Sequence, residues 1–463
     1  MIEGNRLSFH FMGIGGIGQS ALAKMALWHG HQVTGCDNAI SETTREMETM
    51  GIQVFRGHDP RHLDGVDYLV VSDAIRHDEA EKQNAQARNI GVMRRGEMLG
   101  LLMNDCVGQK VGVAGTHGKS TTTAMLGVGL QEAGMDPTVV IGAEVAALGG
   151  NVRRGHGPVF VAEACEAFGS FLFLKPTIAL ITNIEADHLD YYQNMDNIKT
   201  AYSRFLENVP DDGTVIACGE DPTATEAASK SGRRFLTYGV KEETFDFHGK
   251  IISHWEDQTV FRVWHGNQEL GEVRLSVPGR HNVLNALAAL SAGVRLKVDL
   301  HRFIRGLSNY RGAGRRFERL GERNGILYYS DYAHHPTEII ATIQAARSRY
   351  PDRRLIVVFQ PHLFSRTKLF MDDFADALAA ADVVIVTGIY AAREDPIEGV
   401  SAESLYQRLA VRESGLEVYC IEEENDVPAR LERIAGSGDF VIFMGAGSIH
   451  EVGVNYLKGL NVR

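Results

Sequence analysis

The run Val111–Met125, VGVAGTHGKSTTTAM, constrains the fold of this chain more than any other stretch. Val111 to Ala114 reads as a short β-rich strand, Gly115 to Gly118 as a glycine-flanked turn, and a helix is expected to open at Lys119. Backbone N–H groups in such a turn form an anion nest, and the helix N-terminus adds partial positive charge. Lys119 can reach the β- and γ-phosphates of a nucleotide, and the Ser120 hydroxyl suits Mg2+. The spacing differs from the common Walker A loop, which needs a glycine where this chain has Val113. A plain turn-plus-helix reading accounts for the same residues less completely, and the run is read as a phosphate site for ATP.

A second glycine turn lies near the start. Leu7 to Met12 reads as a strand, followed by Gly13, Gly15 and Gly18 in G-x-G-x-x-G spacing and an Ala/Leu/Met-rich helix. The next strand-like run, His31 to Gly35, leads to Asp37. Such glycines admit a pyrophosphate, and an acid at the second strand end can grip a ribose. NAD, FAD and a nucleotide diphosphate fit this fingerprint equally well, and packing alone also explains such glycines.

Apolar runs and helical stretches keep alternating beyond residue 100. Strands are expected at Val159–Ala162, Ile178–Thr182, Leu355–Phe359, Val383–Thr387 and Phe440–Met444, with helices such as Asn197–Glu207 and Pro336–Ala346 between some of them. The pattern predicts an α/β protein of doubly wound parallel sheets, with functional residues at the carboxyl ends of strands. Gly239 to Val277 instead alternates in short runs, which suggests antiparallel excursions. A chain of 463 residues exceeds one ordinary core, and boundaries are expected near Met103–Gly108 and Gly312–Gly314. Net charge is −12 without a concentrated Lys/Arg tract, which argues against duplex nucleic acid as the main partner. Five widely spaced cysteines without a CxxC pair, no signal-peptide-like start and no long apolar stretch predict a cytoplasmic protein with no membrane partner.

The expected strand ends carry chemistry. One terminates in Glu163, and another runs into Asn183, Glu185, Asp187 and His188. Ser120, Glu163 and His188 are the candidate ligands of a hard cation such as Mg2+. Asp331, Tyr332, His334, His335 and Pro336 follow the strand-like Ile326–Tyr329, and proline there suits the first turn of a helix. Farther on, Arg366 can clamp a carboxylate through paired hydrogen bonds, with a solvated cation as the plain alternative.

HFMGIGGIGQS, GTHGKSTTT, TNIEADHLDYY, PGRHNVLNALAA, GRRFE, DYAHHPTEI, FQPHLFSRT and MGAGSI follow one another as they do in the Mur ligases, and the chain resembles that family over practically its whole length. The resemblance implies Rossmann-like N- and C-terminal domains around a central P-loop-type ATPase, with parts at 1–106, 107–313 and 314–463. It is narrowest to the branch that joins L-alanine to the lactyl carboxylate of UDP-N-acetylmuramate in peptidoglycan precursor synthesis. On this likeness Gly13, Gly15, Gly16, Ile17 and Asp37 hold the UDP moiety rather than NAD. Gly115, Thr116, His117, Gly118, Lys119, Ser120 and Thr121 cradle ATP, with Asn282 at the adenine and Arg316 and Asp331 closing from the C-terminal side. Glu163 and His188 fall where the family places Mg2+ ligands, and Tyr332, His335 and Arg366 where it receives the amino acid. Lys119, His335 and Arg366 are the expected catalytic residues, the cofactors ATP and Mg2+, and the assembly a monomer or homodimer.

The chain departs from the family in places. Glu163-Ala164-Cys165-Glu166-Ala167-Phe168 stands where the family usually reads Glu-Ala-Asp-Glu-Ser-Asp, Ser120 replaces the commoner Thr, Ser330 stands where Asp is frequent, and Leu363 where some members have Arg. Other readings are a recycling ligase that attaches a tripeptide, a catalytically silent nucleotide-binding homologue, and an NAD-dependent oxidoreductase resting on the first glycine turn alone. Choice among L-Ala, Gly and L-Ser stays open at this level.

Overall fold

Runs of β-branched and aromatic residues bounded by turn residues become strands wherever neighbours can cover both faces. In the computed structural model, which describes residues 6–72, 75, 79–255, 258–412 and 415–459, this happens in three sheets. The first contains β1 (Ser8–Met12), β2 (Gln32–Asp37), β3 (Gln53–Arg56), β4 (Tyr68–Val71) and β5 (Gly91–Arg94). Their order is β3-β2-β1-β4-β5 and every pairing is parallel. Strand order reverses between β1 and β4, and the glycine turn follows β1, where doubly wound sheets open a crevice.

The second sheet contains β6 (Gln109–Ala114), β7 (Thr138–Val145), β8 (Gly150–Arg153), β9 (Val159–Glu163) and β10 (Ile178–Ile181). It continues through β11 (Thr214–Cys218), β12 (Arg234–Gly239), β13 (Phe247–Trp255), β14 (Gln258–His265) and β15 (Gln268–Leu275). The order is β15-β14-β13-β12-β11-β10-β6-β9-β7-β8. β6 therefore lies between β10 and β9, both parallel to it, and Val111, Val113 and Ala114 are fully buried. That central place fixes the turn after β6 against the ends of its two neighbours. β7 and β8 pair antiparallel at one edge, while β13, β14 and β15 follow in chain order at the other.

The third sheet contains β16 (Glu318–Arg323), β17 (Ile326–Asp331), β18 (Leu355–Phe359), β19 (Val383–Thr387), β20 (Glu417–Ile421) and β21 (Phe440–Met444), in the order β16-β17-β21-β18-β19-β20. The runs LIVVF, VVIVT and FVIFM are buried throughout, as parallel strands covered on both faces must be. β17 extends through Asp331, two residues past the expected end, because Ser330 and Asp331 pair with Phe443 and Met444.

The chain divides into two compact units. The first comprises Met1–Ile252, Val260–Arg274 and Val283–Tyr310, and the second Ser253–Thr259, Leu275–Asn282 and Arg311–Arg463. Within the first unit, Asn151 on β8 donates to Ile17 O at 2.6 Å and Ser20 Oγ at 2.8 Å, tying in the helix Ile17–Trp28 that follows the first glycine turn. Among the described residues no helix is long and apolar enough to cross a membrane.

Candidate active site

After Ala114 the chain turns through Gly115 (φ +138°) and Gly118 (φ +81°) into the helix Lys119–Glu132. No side chain fits at either glycine. A Cβ on Gly115 would stand 1.9 Å from Thr182 Oγ1, and one on Gly118 2.5 Å from Asn285 Oδ1. The same neighbours lock the loop. Thr182 Oγ1 donates to His117 O at 2.5 Å, Asn183 Nδ2 donates to the same oxygen at 3.0 Å, and Asn183 Oδ1 accepts from His117 N at 2.8 Å. Thr122 Oγ1 donates to Asn285 Oδ1 at 3.2 Å. The nest is thus held from the end of β10 and from the helix Arg280–Arg295, a preorganisation that suits anion binding.

Lys119 folds back over this loop. Its Nζ donates to Gly115 O at 2.5 Å, Thr116 O at 2.9 Å and Glu166 Oε1 at 2.9 Å, and it stands 2.9 Å from Glu166 Oε2. Burial alone would depress this ammonium. The charge of Glu166 first, with that of Glu163 behind it, more than reverses that effect and holds it above the ordinary lysine value. Glu166 is a partner of Lys119 that sequence reasoning missed. It lies in the segment noted for its departures, and no local spacing links it to Lys119, which is 47 residues away. Tyr192 Oη donates to Glu166 O at 2.5 Å, and His188 Nε2 lies 4.0 Å from Glu166 Oε1.

Two of the expected cation ligands lie near this pair, His188 with Nε2 4.0 Å from Glu166 Oε1 and Glu163 through its charge on Lys119. Ser120 is buried in the first helical turn, and Glu163 ends β9 with Oε2 accepting from Gly142 N at 2.8 Å, which fixes the carboxylate. His188 adopts φ +53° and stands 3.8 Å from Asp187 Oδ2. A hydroxyl, an anchored carboxylate and an imidazole beside an anion nest fit a hard divalent cation that retains waters and takes phosphate oxygens. In the altered segment, Cys165 is kept a thiol by burial first and by Glu166 next. Phe168 adopts φ +54° and packs edge-on against Tyr191 with ring centroids 5.6 Å apart, so an aromatic contact stands where the family has an acid.

The residues expected at a UDP moiety form a separate group at the end of the first sheet. Gly13 N and Ile14 N donate to Cys36 O at 2.8 and 3.1 Å, and Gly15 N donates to Asp37 Oδ2 at 2.9 Å. Asp37 Oδ1 accepts from Ala39 N at 3.1 Å, so this carboxylate holds the turn on both sides. Gly16 precedes the helix, and the Ile17 side chain is exposed beside it.

The second unit carries its own set. Asp331 is buried and accepts from Phe317 N and Ala333 N, both at 2.8 Å. Burial raises its carboxyl to about 6 against the opposing charge of Arg316. The Arg315 and Arg316 guanidinium groups lie 4.7 and 5.0 Å from the Tyr332 ring centroid. Arg315 also donates to Gly445 O and Gly447 O, and Arg316 stands 3.8 Å from Glu338. His335 caps the helix Pro336–Arg349, accepting from Thr337 N at 3.3 Å, and its ring meets Phe370 edge-on. Arg366 is buried in the helix Phe364–Leu369 with Nη1 3.2 Å from His362 Nδ1. Asn282 is buried and donates to Pro278 O at 2.6 Å. Arg316, Asp331 and Tyr332 thus come together.

Comparisons with known proteins agree with this architecture. Three family models match in order: Mur ligase family, catalytic domain, over residues 8–106; Mur ligase middle domain over 113–293; and Mur ligase, glutamate ligase domain, over 315–447. A UDP-N-acetylmuramate–L-alanine ligase of Trichlorobacter lovleyi is 43% identical over 99% of this chain and 100% of its own length. The crystal structure of a UDP-N-acetylmuramate–alanine ligase from Thermotoga maritima matches with a TM-score of 0.84 at 28% identity, covering 98% of this chain and 99% of that one. A murein peptide ligase from Psychrobacter arcticus shares the fold, with a TM-score of 0.76 at 24% identity over 99% of both chains. With three family models in order and full-length likeness on both counts, the chain belongs to the Mur ligase family.

Proposed function

We propose that this protein is an ATP-dependent carbon–nitrogen ligase that joins L-alanine to the lactyl carboxylate of UDP-N-acetylmuramate in peptidoglycan precursor synthesis. The observation that carries the reading is Lys119, a buried cation kept charged by Glu166 at the mouth of a preformed anion nest. The names of relatives alike over their full length support the substrate pair.

A free carboxylate is a poor electrophile. In this reaction its oxygen attacks the γ-phosphorus of ATP, ADP leaves, and an acyl phosphate results. The amine nitrogen of L-alanine then attacks the acyl carbon, phosphate departs, and the nitrogen gives up a proton to leave the amide. Lys119 neutralises charge on the transferred phosphoryl group, a task of electrostatics and positioning. Gly115 to Thr121 hold the phosphates, and Asn282, Arg316 and Asp331 take part in nucleotide binding. Ser120, Glu163 and His188 would hold Mg2+, which supplies charge neutralisation and orientation of the phosphates. Gly13, Gly15, Gly16, Ile17 and Asp37 bind the UDP moiety. Tyr332 and Arg366 receive the amino acid, with Arg366 on its carboxylate, and His335 accepts the amine proton. These tasks divide among parts at 1–106, 107–313 and 314–463.

The test is phosphate release with ATP, Mg2+ and UDP-N-acetylmuramate, with L-Ala, Gly, L-Ser and the tripeptide supplied separately. Release dependent on L-alanine, with the amide seen by mass, is expected. Release with the tripeptide alone would move the protein to the recycling reaction, and binding without release under every combination would make it a silent homologue.

A further inference from the structure

Beneath the first glycine turn lies a second group of ionisable side chains that ligation leaves without a task. His10 on β1, Cys36 on β2, His62 in the 3-10 turn Pro60–Leu63 and Glu81 in the helix Ala80–Ala87 come from four separate elements. Each offers one ligand-type atom, and these atoms all lie within 4.8 Å of one another. His10, Cys36 and Glu81 are fully buried.

The spacing comes close to that of a coordination shell. His10 Nε2 and His62 Nδ1 stand 3.0 and 3.3 Å from Glu81 Oε1, and Cys36 Sγ stands 3.3 Å from Glu81 Oε2. Ligands about 2.0–2.3 Å from a tetrahedral zinc ion are separated by about 3.3–3.8 Å from one another. Hydrogen bonds account for part of the convergence, since Cys36 Sγ donates to Glu81 Oε2 and His10 Nε2 pairs with Glu81 Oε1, but His62 Nδ1 is buried 3.3 Å from that oxygen without a hydrogen-bond partner. Such an orphan costs about 1–3 kcal/mol unless something satisfies it. His10 is also oriented for the task. Its Nδ1 is taken by Thr34 Oγ1 at 2.7 Å, which leaves Nε2 for the cluster in the manner of outer-shell partners of metal-bound histidines. His58 Nδ1, 3.1 Å from Cys36 Sγ and 3.5 Å from Glu81 Oε2, stands in the same outer position.

We propose that His10, Cys36, His62 and Glu81 form a structural zinc site that ties the helix Ala80–Ala87 and the turn Pro60–Leu63 to the sheet under the glycine turn. One sulfur, two imidazole nitrogens and a carboxylate oxygen are a zinc donor set, chemically distinct from the hydroxyl, carboxylate and phosphate oxygens that suit Mg2+. A divalent cation at the centre of the cluster favours the thiolate of Cys36 over its thiol. With all four positions filled by protein, the site is closed and structural. Its position matters to function because Cys36 O receives the Gly13 and Ile14 N–H groups.

The full-length protein, stripped of metal under reducing conditions, is titrated with Co2+ and then with Zn2+. A thiolate-to-cobalt charge-transfer band saturating at one equivalent and displaced by one equivalent of Zn2+ is expected. The band persists in Glu163→Gln, which separates this site from the Mg2+ ligands, and disappears in Cys36→Ser. Should Cys36→Ser fail to fold, His62→Gln serves in its place, with a weakened, shifted band. Absence of a thiolate–cobalt band in the wild-type chain, or a band that survives loss of Cys36, overturns the proposal.

Discussion

Lys119 and Glu166 are a buried ion pair, their side chains 12% and 4% exposed, so removing one charge strands the other. Lys119→Met leaves the Glu166 carboxylate without its counter-charge, a loss of about 3–5 kcal/mol in folding stability. The same change frees the carbonyls of Gly115 and Thr116, which adds about 0.5–1.5 kcal/mol for each hydrogen bond lost. In the double variant Lys119→Met/Glu166→Gln no charge is stranded, and only the carbonyl contribution remains. The double variant is therefore expected to be more stable than Lys119→Met, recovering most of the ion-pair loss. Catalysis follows a different pattern. Both variants lack the cation facing the transferred phosphoryl group, and both should fall about 100- to 1000-fold in turnover. Urea unfolding followed by fluorescence and phosphate release measured side by side separate the two effects. A double variant as unstable as Lys119→Met would refute the ion-pair reasoning, and near-normal turnover in either would refute the phosphate-loop assignment.

Three further outcomes follow from individual contacts. Asp37→Ala removes the acceptor of Gly15 N, and should raise the KM for the UDP-sugar more than that for ATP; equal effects on both contradict its assignment. Asp331 titrates near 6 because burial opposes its charge, so the stability it contributes is full below the unfolded value and is lost as pH rises through about 6. Arg316→Ala should move that titration higher still, and an NMR titration of the carboxyl that moves downward refutes the attribution. Cys165 should alkylate more slowly than a free thiol at mildly alkaline pH and faster in Glu166→Gln, as peptide mapping would show; no acceleration would remove Glu166 as a cause.

The strand, glycine turn and helix from Val111 onward were legible in the sequence because their physics is local. Strand, glycine turn and the first helical residues lie side by side, and Gly115 and Gly118 adopt the positive φ that such a turn requires. The buried strands of the third sheet were legible for a similar reason, since LIVVF, VVIVT and FVIFM are continuous apolar runs. What closes the loop was not. Glu166 reaches Lys119, Asn183 reaches His117 and Asn285 reaches Thr122 across long stretches of chain, and only the folded sheet brings them together. Asp37 was read as a ribose contact from its place after the second strand. Its two oxygens also hold the backbone of Gly15 and Ala39, a task that spacing alone did not reveal. The His10, Cys36, His62 and Glu81 cluster left no motif at all, because its members are single residues on four separate elements.

The central claim is that the chain activates a carboxylate by phosphorylation before forming an amide. The most direct measurement uses UDP-N-acetylmuramate labelled with heavy oxygen in both lactyl carboxylate positions, incubated with ATP, Mg2+ and L-alanine. The phosphate released should carry one heavy oxygen for each amide formed, because the carboxylate oxygen bonded to phosphorus leaves with it. Phosphate free of label alongside amide product would contradict an acyl phosphate and, with it, the role given to Lys119.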